Sequence, residues 1–185
     1  MANTTWNPET EYLNGQNSFD ITNNGLTLYS SGTLEQSIMA SNGVAAGKRY
    51  FECTVSSLNN AGPMFGVSIL PCGNWSSTNE RSYCINGKKY YTADLYGATW
   101  TAGDVIGIYF DADKHSVGFT KNGVDQGIAY EDVPTGIVYP YYNTGGSGTC
   151  RITANFGATA FNHAPPSDYL AWNTANQNQS SAAGV

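Results

Sequence analysis

Charge is scarce in this sequence. Asp, Glu, Lys and Arg make up 12% of 185 residues, and eight Lys and Arg stand against 14 Asp and Glu. A surface that neutralises nucleic-acid phosphates needs clustered cations. Only Lys48-Arg49 and Lys88-Lys89 form doublets, in a chain of formal net charge −6, so no nucleic-acid partner is expected. Each doublet adjoins an expected strand, where a solvated edge charge explains it. Long hydrophobic runs are missing too, and none approaches the roughly 20 residues a membrane-crossing helix needs. No membrane partner follows. Met1 to Trp6 has neither the basic start nor the apolar run of a secretory leader, so synthesis in the cytoplasm without a signal peptide is expected.

Cysteine and histidine are few and badly placed for metal. Cys53, Cys72, Cys84 and Cys150 lack C-x-x-C spacing, and neither His115 nor His163 lies near them in sequence. No metal and no cofactor is expected. Cys72 and Cys84 bracket one loop and could pair in an oxidising setting, but buried free thiols are the favoured state in a leaderless chain.

What is abundant is turn and strand chemistry, with 21 Gly and 13 Tyr beside many Asn, Thr and Ser. That composition suits pleated strands and tight turns. Strands are expected at Phe19–Ile21, Leu26–Ser30, Gln36–Ala40, Tyr50–Val55 and Met64–Ile69. In the fourth, Phe51, Cys53 and Val55 share the face that meets the core. Strand-like alternation continues over Ser82–Thr92 across Asn86-Gly87. Asp104–Asp111, His115–Lys121 and Val124–Tyr130 form two successive hairpins, the second closed by Asn122-Gly123, a pair that tolerates the positive φ of a type I′ turn. Val138–Tyr142 and Cys150–Phe156 read as a last pair joined by a Gly-rich connection. Beyond Gly157 the pattern decays, and the end is polar in composition.

Several stretches together resemble the SPRY family. They are Gly47–Val55, Phe65–Ser68, Tyr96-Gly97 before Gly103–Asp111, Val117–Ala129, Val138-Tyr139-Pro140 and Asn155-Phe156-Gly157, in the family's order and spacing from about Gly47 to Phe161. The opening Trp6-Asn7-Pro8 and the strands to Ala40 also resemble stand-alone SPRY chains of bacteriophages. The resemblance implies an all-β, concanavalin-like sandwich of two antiparallel sheets. One domain is expected overall: N-terminal strands over 1–46, a SPRY core over 47–161 and a polar C-terminal tail over 162–185.

The resemblance also implies ligand capture by loops, usually of a peptide or protein surface, and no chemistry. The family's binding loop maps onto Asn143, Thr144, Gly145, Gly146 and Ser147. Relatives often carry an aromatic there, whereas these residues are small, and a plain hairpin turn is the competing reading. From the residues themselves, Trp75 beside Asn74 in the long Pro71–Arg81 loop is the best exposed anchor, since indole combines contact area with one donor. Tyr96 is a weaker candidate, as is Trp100, with core packing favoured for both.

No catalytic residues are expected. Glu52 paired with Asp94 or Asp104 has no glycosidase motif around it, Ser68 is not in G-x-S-x-G, and neither His has an evident nucleophile partner. Asp111 and Asp113 read as turn formers rather than calcium ligands. The expectation is therefore a non-enzymatic protein-interaction module, a bacteriophage virion component such as a capsid decoration or tail-surface protein. Its partners would be capsid or tail proteins met through edge loops and the C-terminal tail. The alternatives are a carbohydrate-binding module, with a glycan as ligand, and an intracellular peptide-binding adaptor.

Overall fold

The computed structural model describes residues 3–15, 18–32, 34–59, 62–71, 78–90 and 92–173. Among these residues there are strands and no α-helix. Five strands form one sheet, in the spatial order β1 (Trp6–Tyr12), β4 (Ser37–Ala40), β11 (Val138–Asn143), β6 (Met64–Ile69) and β7 (Glu80–Cys84). The second sheet runs β10 (Val124–Tyr130), β9 (Ser116–Lys121), β8 (Val105–Asp111), β5 (Lys48–Asn59), β12 (Thr149–Asn155), β3 (Thr27–Ser30) and β2 (Asp20–Thr22). A short β13 (Leu170–Ala171) joins β5 in parallel, and every other pairing is antiparallel.

The core lies between the sheets because strand alternation sends apolar side chains to one face. Phe51, Cys53 and Val55 of β5 are fully buried, as are Ile106 and Ile108 of β8 and Ile152 of β12. Facing them are Ile38, Phe65, Val67 and Tyr142 from the five-stranded sheet. An aromatic contact ties the sheets together where Trp6 of β1 meets Phe156, just after β12, edge-on at 5.3 Å; within the five-stranded sheet Phe65 and Tyr142 lie 5.5 Å apart. Each buried aromatic of this kind is worth about 1.5–3 kcal/mol in removed apolar surface.

The two hairpins stand as the sequence predicts. Asp111 pairs with Ser116 and Lys121 with Val124, and Asn122 and Gly123 both take positive φ, at 49° and 79°. Over Ser82–Thr92 the strand ends early. β7 stops at Cys84, and beyond the turn Lys88 and Lys89 make only isolated bridges, to Leu95 and Tyr83.

Two expectations are corrected. β11 and β12 do not pair with each other, because each is an inner strand of a different sheet. The Gly-rich connection crosses the rim of the sandwich instead of closing a hairpin. Residues 162–173, expected to open a polar tail, belong to the fold. Asn162 donates to Glu52 Oε1 through its backbone N–H (2.6 Å) and Nδ2 (2.8 Å). Tyr169 packs edge-on against Tyr109 at 5.3 Å, and Trp172 is fully buried between Phe51 and Phe110. Residues 174–185 lie outside the described residues, and so does the expected role of the tail in binding.

Candidate functional site

The register of β11 builds the site from below. Asn143, its last residue, pairs with Ser37 of β4 on one side and Met64 of β6 on the other, so the following loop emerges at the sandwich rim. Asn143 is fully buried and uses both ends of its amide. Nδ2 donates to Glu35 Oε1 at 2.5 Å and to the Tyr141 hydroxyl at 3.0 Å, while Oδ1 accepts from the Gly145 N–H at 2.6 Å. Thr144 continues the ladder. Its N–H donates to Gln36 O (2.9 Å), and its Oγ1 accepts from Gln36 N–H (3.0 Å).

Above this base the backbone is exposed and close-set. Gly145 has φ +66°, and a Cβ there would lie 1.8 Å from Gly62 O, so only glycine fits. Gly146 has φ +120° with open space around it, and Ser147 is exposed. The two glycines form one side of a recess of about 370 Å³. Leu34, Met64 and Tyr90 supply its apolar wall, Glu35 a carboxylate and Asn14 part of the rim.

The predicted loop residues thus divide by job. Asn143 and Thr144 are braces buried under the loop, whereas Gly145, Gly146 and Ser147 present its surface. Tyr96 serves the interior: its ring meets Tyr83 and Phe119 edge-on, its hydroxyl donates to Gly127 O and accepts from Phe119 N–H. Burial pushes that hydroxyl's pKa well up. Trp100 is likewise buried, stacked on Phe65 at 5.2 Å. Asn74 and Trp75 lie outside the described residues, as does Cys72. Cys53, Cys84 and Cys150 are free thiols, and burial pushes Cys84 up to about 11.

Leu34, Glu35, Met64 and Tyr90 went unnoticed in the sequence. Their only signal is register: once β4 is set beside β11, residues 34–36 must lie beside 144–146, but that pairing spans over a hundred residues.

Tyr90 also lines a second cleft, of about 770 Å³, between β7 and β10. Arg81 and Lys89 lie 5.8 and 5.5 Å from the centre of the Tyr130 ring. Arg81 holds Asp132 in a fork of two bonds, 2.9 and 3.0 Å, and donates to Thr78 O and Glu80 O. That bond holds the Asp132 carboxyl below its usual pKa. The Tyr130 hydroxyl donates to Ser82 O (2.8 Å) and Tyr90 O (3.0 Å), which blunts the open edge of β7.

The carboxylates considered for catalysis each make a structural contact. Glu52 caps the returning segment at Asn162. Asp104 accepts from Thr101 N–H, Asn122 Nδ2 and Lys121; burial opposes ionisation, yet these bonds hold its pKa below the usual value. Asp94 lies 3.7 Å from Lys89. Asp111 Oδ1 accepts from the N–H groups of Asp113 and Lys114, both at 3.1 Å, as a turn former does.

The architecture is a two-sheet antiparallel sandwich with a braced rim loop over a small recess. The SPRY domain family model matches residues 48–159, well over half of the chain, and the chain belongs to that family, a protein-interaction module. The SPRY domain of human HERC1 superposes with a TM-score of 0.73 at 22% identity, covering 84% of this chain and 99% of that one. A second human SPRY domain gives 0.60 at 20% identity, covering 78% and 100%. The fold is therefore the concanavalin-like SPRY sandwich. Among curated proteins, the Drosophila melanogaster Ran-binding proteins 9/10 homolog is 32% identical over 128 residues, 63% of this chain and 13% of that protein. Ran-binding protein 9 of Danio rerio is 32% identical over 149 residues, 73% of this chain and 24% of that protein. The chain thus spans a quarter or less of these relatives.

Proposed function

We propose that this SPRY domain is a non-enzymatic module that holds a protein partner at the recess beside Gly145 and Gly146. The observation that carries the reading is the contrast within one loop. Asn143 and Thr144 are locked by buried bonds to Glu35, Tyr141 and Gln36, so the glycine surface above them is pre-formed and binding costs little ordering. Affinity enrichment with the full chain, run beside Leu34→Trp, tests it. Leu34 is 48% exposed on the recess wall, so a larger ring fills the space without disturbing the core. A partner kept by the parent and lost from the variant supports the reading; a partner kept equally by both refutes it.

The finer placement is a bacteriophage virion, as a capsid decoration or tail-surface protein made in the cytoplasm. Its support is the low charge, the polar composition and the resemblance of Trp6-Asn7-Pro8 to phage chains, a segment whose Trp6 is built into the core. Stoichiometric amounts of the chain in purified particles would bear this out. Its absence from them would remove the virion and leave the module. Tyr90, an aromatic wall shared by both recesses, favours a carbohydrate as the second reading. Sugar binding on a glycan array that Tyr90→Ala abolishes would establish it.

A further inference from the structure

We propose that the Asn14-Gly15 step at the rim of the recess is a site of spontaneous modification, at which the folded chain converts its own Asn14 to aspartate or isoaspartate.

An Asn-Gly step hinders this chemistry least, because glycine has no Cβ to shield its backbone nitrogen. The Gly15 nitrogen gives up its proton to water and attacks Asn14 Cγ. The Cγ–Nδ2 bond breaks, the amide nitrogen takes a proton from water and leaves as ammonia, and a cyclic imide closes. Water then adds to either imide carbonyl and opens the ring, to aspartate or to isoaspartate with the main chain running through Cγ. Water is the only co-reactant, so the fold sets the rate through how freely amide and nitrogen can meet. The conversion proceeds whatever the recess binds.

The chain holds five Asn-Gly steps, and the fold anchors four of them. Asn122 is held at both ends of its amide: Oδ1 accepts from Val105 N–H (2.8 Å) and Nδ2 donates to Asp104 Oδ1 (2.7 Å). Asn42 Nδ2 donates to Ser41 Oγ (3.1 Å) and Thr4 Oγ1 (3.3 Å), and its backbone O accepts from the indole N–H of buried Trp172 (3.0 Å). Asn86 Oδ1 accepts from Lys88 N–H (3.1 Å), and Gly87 is buried with its N–H on Cys84 O (3.0 Å). Asn24 is exposed, but Gly25 is fixed on both sides: its N–H donates to Thr22 O (3.1 Å) and its O accepts from Trp6 N–H (2.9 Å).

Asn14-Gly15 has no such anchorage. Both residues are exposed, with φ +44° and +77°. Among the described residues, nothing lies within 4 Å of where a Gly15 Cβ would stand, and no hydrogen bond holds the Asn14 amide. The step lies beyond the end of β1 at Tyr12, so local opening there breaks no ladder bond between strands. Asn14 lines the recess beside Gly145 and Gly146, and conversion replaces a neutral amide by a carboxylate at its rim.

Incubating the full chain at mildly alkaline pH and mapping its peptides for aspartate and isoaspartate tests the proposal. In native protein Asn14 should convert roughly tenfold faster than Asn24, Asn42, Asn86 and Asn122, each of which must first lose a hydrogen bond. In guanidinium chloride all of them should convert at similar rates. Asn14→Gln, a change at an exposed residue, should remove the early ammonia release of native protein, because the longer side chain closes its ring much more slowly. Native protein in which Asn14 persists, or in which another Asn-Gly step converts as fast, overturns the proposal. A lead of Asn14 that survives in denaturant, or early ammonia release from Asn14→Gln equal to the parent's, overturns it as well.

Discussion

Asn143 shows how much of the rim loop's conformation is decided below its surface. Its amide serves three partners at once, and the two bonds of its Nδ2 are buried. Asn143→Ala should destabilise the domain by about 2–3 kcal/mol, since it strands buried polar groups and opens a void. Urea denaturation measures this. Gly66 illustrates the same economy in steric form: a Cβ there would lie 2.0 Å from Arg81 O, so β6 and β7 could not keep their spacing. Gly66→Ala should lose about 1–3 kcal/mol by the same assay. Thiols supply a kinetic check. Burial drives Cys53 far above its ordinary pKa and raises Cys150, so an alkylating reagent should label neither in native protein and both in denaturant.

At the scale of elements, the chain was legible where its pairing is local. The β8–β9–β10 hairpins follow from Asn122-Gly123 and from a turn capped by Asp111, both visible in a few residues. Pairings between distant strands were not legible. Nothing near Gln36 says that it will sit beside Thr144, so the recess wall at Leu34 and Glu35 stays hidden in the sequence, while the candidate loop at Asn143–Ser147 is suggested by family resemblance. The β11–β12 error has the same origin, because sequence neighbours separated by glycines look like a hairpin whichever sheet each joins. The last segment misled by composition. Its polar average concealed Tyr169 and Trp172, two aromatics that pin it to the second sheet. Trp172→Ala should cost about 3–5 kcal/mol, with the thermal midpoint falling accordingly.

For the whole molecule, the two sheets form one frame with a shared core and loops at the rim. The Arg81–Asp132 fork links β7 to the segment after β10 across the larger cleft, and its pH dependence has a definite sign. Asp132 has its folded pKa lowered from the ordinary 3.8, chiefly by Arg81. Its contribution is therefore complete above that value and is lost as the pH falls through the lower folded value. The effect is small, since the carboxylate is 71% exposed and screened by solvent. Stability of Asp132→Asn should trail the parent at neutral pH and converge with it in acid, as denaturant midpoints across the range will report.

The central claim, that this sandwich works by holding a partner at the Gly145–Gly146 recess, is tested most directly by amide chemical-shift mapping of the full chain titrated with a selected peptide. Shifts concentrated at Leu34, Glu35, Met64, Tyr90, Gly145 and Gly146 are the predicted result. Shifts confined to another face, with those six unmoved, would contradict it.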